Sequence, residues 1–91
     1  LLKTFIENTK ANLTQLEEAN QQQDTKKVAF VAHKMLPMFR QLKANEVITH
    51  VEKLEKQHEL ALDQEDINLL VEKASEKTKQ LLQELQKVLI T

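Results

Sequence analysis

Three histidines, at positions 33, 50 and 58, are the side chains of this 91-residue chain best suited to chemistry near neutral pH. An imidazole there can hold a metal, move a proton or attack an electrophile. His50 and His58 are two helical turns apart, whereas a helical metal site wants ligands one turn apart with carboxylate support, so both read as residues bordering a core. His33 stands in a different setting. The stretch AHKMLPMFRQLKA, residues 32–44, surrounds it with Lys34 and Arg40 and places the only proline of the chain, Pro37, four residues later. A proline inside a helix costs about 3 kcal/mol, which suggests a turn that faces outward and is kept for contact with another protein.

The composition removes several alternatives. Cysteine is absent, which excludes disulfides, thiol redox centres and Cys-type zinc sites. Glycine is absent too, and with it the Gly-rich loops that let a backbone approach the phosphates of a nucleotide. A net charge of −1, with no basic stripe interleaved with aromatics, gives no reason to expect nucleic acid. No signal peptide and no apolar run of membrane-spanning length is present, so no membrane contact is expected and a cytoplasmic location is. The chain opens on LLKTF without an initiator methionine and reads as a piece of a longer protein. Ninety-one residues suit one domain, 1–91, with one core.

The elements that must position His33 follow from apolar spacing. A first amphipathic segment carries Leu2, Phe5, Ile6, Leu13 and Leu16, with Thr9 between them, and ends in the polar run NQQQD. Asp24 is a good N-cap for a second, packing through Val28, Ala32, Met35, Phe39 and Leu42. Asn45 can cap a third, with Val47, Ile48, Val51 and Leu54 and with His50 and His58 along it. Asp63 or Asp66 can cap a fourth, with Ile67, Leu70, Val71, Ala74, Leu81, Leu82, Leu85 and Leu89, expected to be the longest. Short connections make neighbours antiparallel, so the expected fold is all-α, an antiparallel up-down-up-down four-helix bundle.

On a wheel of about 100° per residue with Val28 at zero, the expected core residues of the second segment fall within ~40° of the origin. His33 lies near ~140°, Lys26 near ~160°, Pro37 near ~180°, Phe30 near ~200° and Arg40 near ~120°. These five form the outward face, on which Phe30 and Pro37 are apolar groups flanking the imidazole. The core stripe continues past Pro37, which predicts a kinked helix, not a stop, with Leu36 pushed from ideal helical angles.

Residues 28–55, VAFVAHKMLPMFRQLKANEVITHVEKLE, resemble the histidine-containing phosphotransfer (HPt) domains of bacterial multistep two-component relays. Ala32-His33 matches the Ala-His pair that marks the second helix of that bundle. Met35, Leu42, Ala44, the restart at Asn45 and the closing Leu54-Glu55 follow its layout, as do Phe5, Leu13, Leu16, Ala19 and Asp24 upstream. Two places depart from it: Leu36 and Pro37 stand where most members have Lys and Gly. The form HKMLPMFRQL resembles a variant found in hybrid sensor kinases.

The resemblance implies a phosphorelay carrier, not an enzyme in its own right. His33 is the implied phosphoacceptor, taking a phosphoryl group from a receiver-domain aspartate and returning it to another. Lys26, Lys34 and Arg40 are the implied phosphate-neutralising residues, with Arg40 favoured by direction to replace the missing lysine. Phe30 and Pro37 are the implied docking surface for response-regulator receiver domains. The chain itself is expected to bind no cofactor, Mg²⁺ being carried by the partner receiver, and to act as a monomer. The competing reading is a helical adaptor without phosphorylation, either a pseudo-HPt or a dimerising bundle. A transmitter domain of a kinase is a third; it calls for a dimer of helical hairpins, whereas four segments here can close a monomer.

Overall fold

The computed structural model describes residues 2–90, with side chains through residue 89; Leu1 and Thr91, included in the expected 1–91 domain, lie outside the described residues. Four helices account for the fold: α1 (Leu2–Gln21), α2 (Thr25–Gln41), α3 (Asn45–Glu55) and α4 (Gln64–Ile90). Each packs on its two neighbours, α1 on α2 and α4, α3 on α2 and α4, so the helices close a ring around one core. Two cross-links set the direction of α3 against α2. His33 pairs with Glu55 and Arg40 with Glu52, so numbers rise along one helix as they fall along the other. The result is the expected antiparallel four-helix bundle. Its long axis of 43 Å is set by α4, the longest element at 27 residues.

The core is built from the apolar stripes, centred on Leu16, Met35, Phe39, Val51 and Leu54, all fully buried. On α2 the buried face is wider than expected. Val31 and Leu36 join it at 1% exposure, which extends the buried arc to ~140° of the wheel. A helix flanked by both α1 and α3 must be covered on two sides, and the arc widens accordingly. Leu36 therefore stays in the helix and packs inward. Leu42, expected in the core, is 40% exposed because α2 ends at Gln41 and Leu42 is its C-cap. At the far end of α4, Leu89 is likewise exposed, beyond the reach of the shorter helices.

The helix ends show how a chain without glycine turns. Among the described residues three are left-handed, Gln23, Lys43 and Ala61, with φ of 57°, 54° and 52°. After each, an amide reaches back five residues: Asp24 N–H to the Ala19 carbonyl, Ala44 N–H to Phe39, and Leu62 N–H to Gln57. This is the Schellman arrangement, in which glycine is the usual left-handed residue. Asp24 then caps α2, its carboxylate accepting from Lys27 N–H at 3.1 Å. Asp63 and Asp66 cap α4 together, each carboxylate accepting the other's backbone N–H at 2.9 and 3.2 Å.

Two boundaries differ from expectation. Ala44, not Asn45, is the N-cap of α3, since the Ala44 carbonyl accepts from Val47 and Ile48 N–H. The turn that closes α2 ends at Ala44, so Leu42, Lys43 and Ala44 make the whole connection between the two helices. α3 stops at Glu55, so His58 is not on it but exposed in the turn that follows. One turn past Leu54 the stripe would fall on Gln57 and His58, which offer nothing apolar to bury.

Candidate functional site

α2 runs unbroken through Pro37, and the proline ring is exposed. It leaves the carbonyl of His33 without the amide that normally reaches it from four residues on. Strong packing offsets that loss: Met35, Leu36 and Phe39 on the opposite side are almost completely buried. The helix thus holds His33, Phe30, Pro37, Lys26 and Arg40 on its solvent side. The His33 side chain is 72% exposed.

Its ring is nevertheless oriented. Nδ1 pairs with Oε2 of Glu55, a residue of the last turn of α3 that is mostly covered. A carboxylate only accepts, so Nδ1–H is the donor, and in the neutral ring the lone pair then lies on Nε2. Nε2, on the far side of the ring from Glu55, is the atom presented to solvent. An exposed imidazole locked in one tautomer by a carboxylate is an oriented nucleophile.

The three cations of the face are spread around it. Arg40 Nη2 donates to Glu52 Oε2 of α3 at 3.2 Å. Lys34 Nζ donates to Gln15 Oε1 of α1 at 3.0 Å and lies 5.5 Å from the centre of the Phe30 ring. Lys26 is exposed two turns before His33. Arg40 therefore points to α3 and Lys34 to α1, and neither touches the imidazole in this structure. Phe30 is 62% exposed, and the lysine over its ring gives that apolar patch a cationic rim.

Sequence reasoning gave Glu55 no role beyond its place in the Leu54-Glu55 pair. No local signal could have found it, since its partner is 22 residues away. His50 is the contrasting imidazole, half-buried on α3 with its Nδ1 shielded and unpartnered among the described residues. Burial lowers its pKa, and Lys73, Lys53 and Lys77 lower it further against a smaller opposing effect of Glu46. No group of three or more His, Cys, Asp or Glu placed to hold a metal occurs among the described residues.

A family model, the Hpt domain, matches residues 1–89. The chain belongs to the Hpt domain family. The match covers nearly the whole chain and agrees with the four-helix bundle described above. Hpt domains are phosphotransfer carriers that interact with receiver domains in two-component phosphorelays. Neither the curated proteins nor the solved structures compared with the chain give a match. No helix among the described residues is long and apolar enough to cross a membrane.

Proposed function

We propose that this Hpt domain carries the phosphoryl group on Nε2 of His33, accepting it from an aspartyl phosphate of one receiver domain and passing it to the aspartate of another. The observation that carries the reading is the His33–Glu55 pair on an exposed helix face. In the forward step the Nε2 lone pair attacks phosphorus in line. The N–P bond forms, the P–O bond to the aspartyl group breaks, and the electron pair leaves with the carboxylate. The ring keeps its Nδ1 proton and becomes cationic, a charge that the Glu55 carboxylate stabilises. In the return step an aspartate oxygen attacks, the N–P bond breaks, and the pair goes back to Nε2.

The carrier needs little more than this, because phosphoryl transfer is governed by positioning and charge neutralisation. Mg²⁺ bound by the receiver supplies most of the neutralisation. Lys26, Lys34 and Arg40 add to it from this chain, the last two by exchanging their contacts to Gln15 and Glu52 for the phosphoryl oxygens. Those contacts are exposed and cheap to break. Phe30 and Pro37 form the apolar docking surface. The domain works as a monomer in the cytoplasm, one bundle serving each receiver in turn.

The test is transfer from a phosphorylated cognate receiver, with His33→Gln as control. The wild type should take up an acid-labile label and the variant none. Equal labelling of the two would remove His33 from the mechanism.

A further inference from the structure

We propose that the cleft between α3 and α4 where His50, Lys73 and Lys77 converge binds a small divalent oxyanion of the sulfate and phosphate class. The cleft is separate from the transfer face. On the α3 wheel His50 lies about 140° from Glu55, the residue that holds the His33 ring. Binding there does not depend on which residue carries the phosphoryl group.

Four side chains, His50, Lys73, Glu76 and Lys77, line this cleft of about 240 Å³. Three of the four can carry a positive charge and none is apolar. Pockets for larger organic ligands start at about 300 Å³ and are mostly apolar, so the cleft suits a small charged occupant. Lys53 of α3 adds a third lysine to the field at the ring, against Glu46 of α3 and Glu76 of α4. No charged group of α1 or α2 is among those acting on it. Three lysines against two glutamates leave one positive charge in excess, which favours an anion over a cation.

The cations are available. Lys73 and Lys77 stand four residues apart on α4, so both ammonium groups reach over the same cleft. Lys73 forms no ion pair among the described residues. Lys77 is half-buried and pairs with Glu46 at 3.3 Å, but that carboxylate is 78% exposed, and such a pair is cheap to give up.

The ring supplies the third donor. Nδ1 of His50 is shielded and out of reach of a ligand, and neither ring nitrogen has a hydrogen-bond partner among the described residues. The ring therefore meets the cleft with its other edge, which carries Nε2. In the imidazolium Nε2–H is a donor, and a bound oxyanion accepts from it while the ammonium groups balance its charge. Burial, followed by the field of the lysines, holds the pKa of this ring below its ordinary value. An anion in the cleft opposes that field, so the charged ring and the anion favour each other. Glu76 is the one lining residue that repels the ligand.

Sulfate is the probe, because its charge stays constant while histidine titrates. Sodium sulfate is compared with sodium chloride at equal ionic strength, and the ring C–H resonances of His50 and His58 are followed. Sulfate should shift His50 saturably and raise its pKa, whereas His58, exposed in the turn after α3, should respond to ionic strength alone. Affinity should be about fivefold higher at about pH 5 than at about pH 8, since the charged ring binds the anion better. Lys73→Gln should weaken binding by about fivefold, the upper range for an exposed ion pair, and Glu76→Gln should tighten it by a similar factor. In His50→Gln, followed through the backbone amides of α4, sulfate should still bind to the two lysines but without the pH dependence. Equal effects of chloride and sulfate on His50 would reduce the response to screening and overturn the proposal. So would a sulfate response that Lys73→Gln and Glu76→Gln both leave intact. A pH dependence that persists in His50→Gln would overturn it too, because the ring would then have no part in the site.

Discussion

His33 and His50 are the same side chain in opposite surroundings, one bundle face apart. His33 stands in solvent with a carboxylate on Nδ1, whereas His50 is half-buried, its Nδ1 unpartnered, in the field of three lysines. The lysines would draw a phosphate anion towards His50 more strongly than anything now touching His33 does. What separates the two sites is the charge on the ring after transfer. A phosphorylated imidazole that keeps its other proton is cationic; Glu55 stabilises that state at His33, while Lys73, Lys53 and Lys77 oppose it at His50. If His33 is the carrier as proposed, such a site is marked by the partner of the ring and its access to water more than by the density of nearby cations.

The largest expected effect breaks the comparison outright. His33→Gln should abolish label from a phosphorylated receiver, while His50→Gln should accept it at the wild-type rate. Label retained on His33→Gln and lost from His50→Gln would reverse the assignment. Next comes the partner. Glu55→Ala frees the ring and removes the compensating charge, and transfer should slow on the order of tenfold or more, since orientation alone carries factors of that size. Glu55→Gln restores an acceptor for Nδ1–H without the charge and should recover part of the rate. If the two variants transfer equally fast, Glu55 acts through charge alone, and if both match the wild type the pair has no part in transfer. Their thermal melts should stay close to wild type, because the His33 end of the pair is exposed and water can replace the lost contact.

Phe30→Asp sharpens the comparison at its docking side. Phe30 is exposed and lies under the Lys34 ammonium, so an acidic residue there should weaken receiver binding by about 1–2 kcal/mol. The melting temperature should hardly change. A melt lowered as far as by Phe39→Ala, where a fully buried ring is lost at about 3–5 kcal/mol, would show that residue 30 belongs to the core.

Much of this architecture was legible in the sequence, for reasons that differ by element. Apolar spacing marked all four helices because each must bury a stripe, and Asp24 announced the start of α2 because a cap is chemistry within three residues. The outward setting of His33 and Phe30 followed from the same periodicity. The end of α3 and the cap at Ala44 were not legible. Without glycine, the left-handed positions fell to Gln23, Lys43 and Ala61, none of which signals a turn by its type. The contacts of the site were illegible for a deeper reason. Glu55 on His33, Glu52 on Arg40 and Gln15 on Lys34 join residues 22, 12 and 19 apart, and only the packing of helices decides which polar residues meet. The direction of Arg40 on the wheel was right, yet a carboxylate on α3 determines where its guanidinium points.

The smallest effect concerns His50 alone. Its pKa lies below the ordinary value, so between the two values the unfolded chain binds more protons than the folded one. Stability tied to this residue is therefore complete above about pH 6.5 and is lost as the pH falls towards the lowered folded value. Urea midpoints at about pH 7.5 and pH 5.5 should accordingly lie closer together for His50→Gln than for the wild type. The groups acting on the ring are Lys53 and Glu46 from α3 and Lys73 and Lys77 from α4, with Glu76 also lining its cleft. Burial leads these causes, so Lys73→Gln should remove only a minor part of the pH dependence. A Lys73→Gln variant as flat as His50→Gln would instead make the lysines the main reason why this imidazole resists a positive charge, and the contrast with His33 would then be electrostatic throughout.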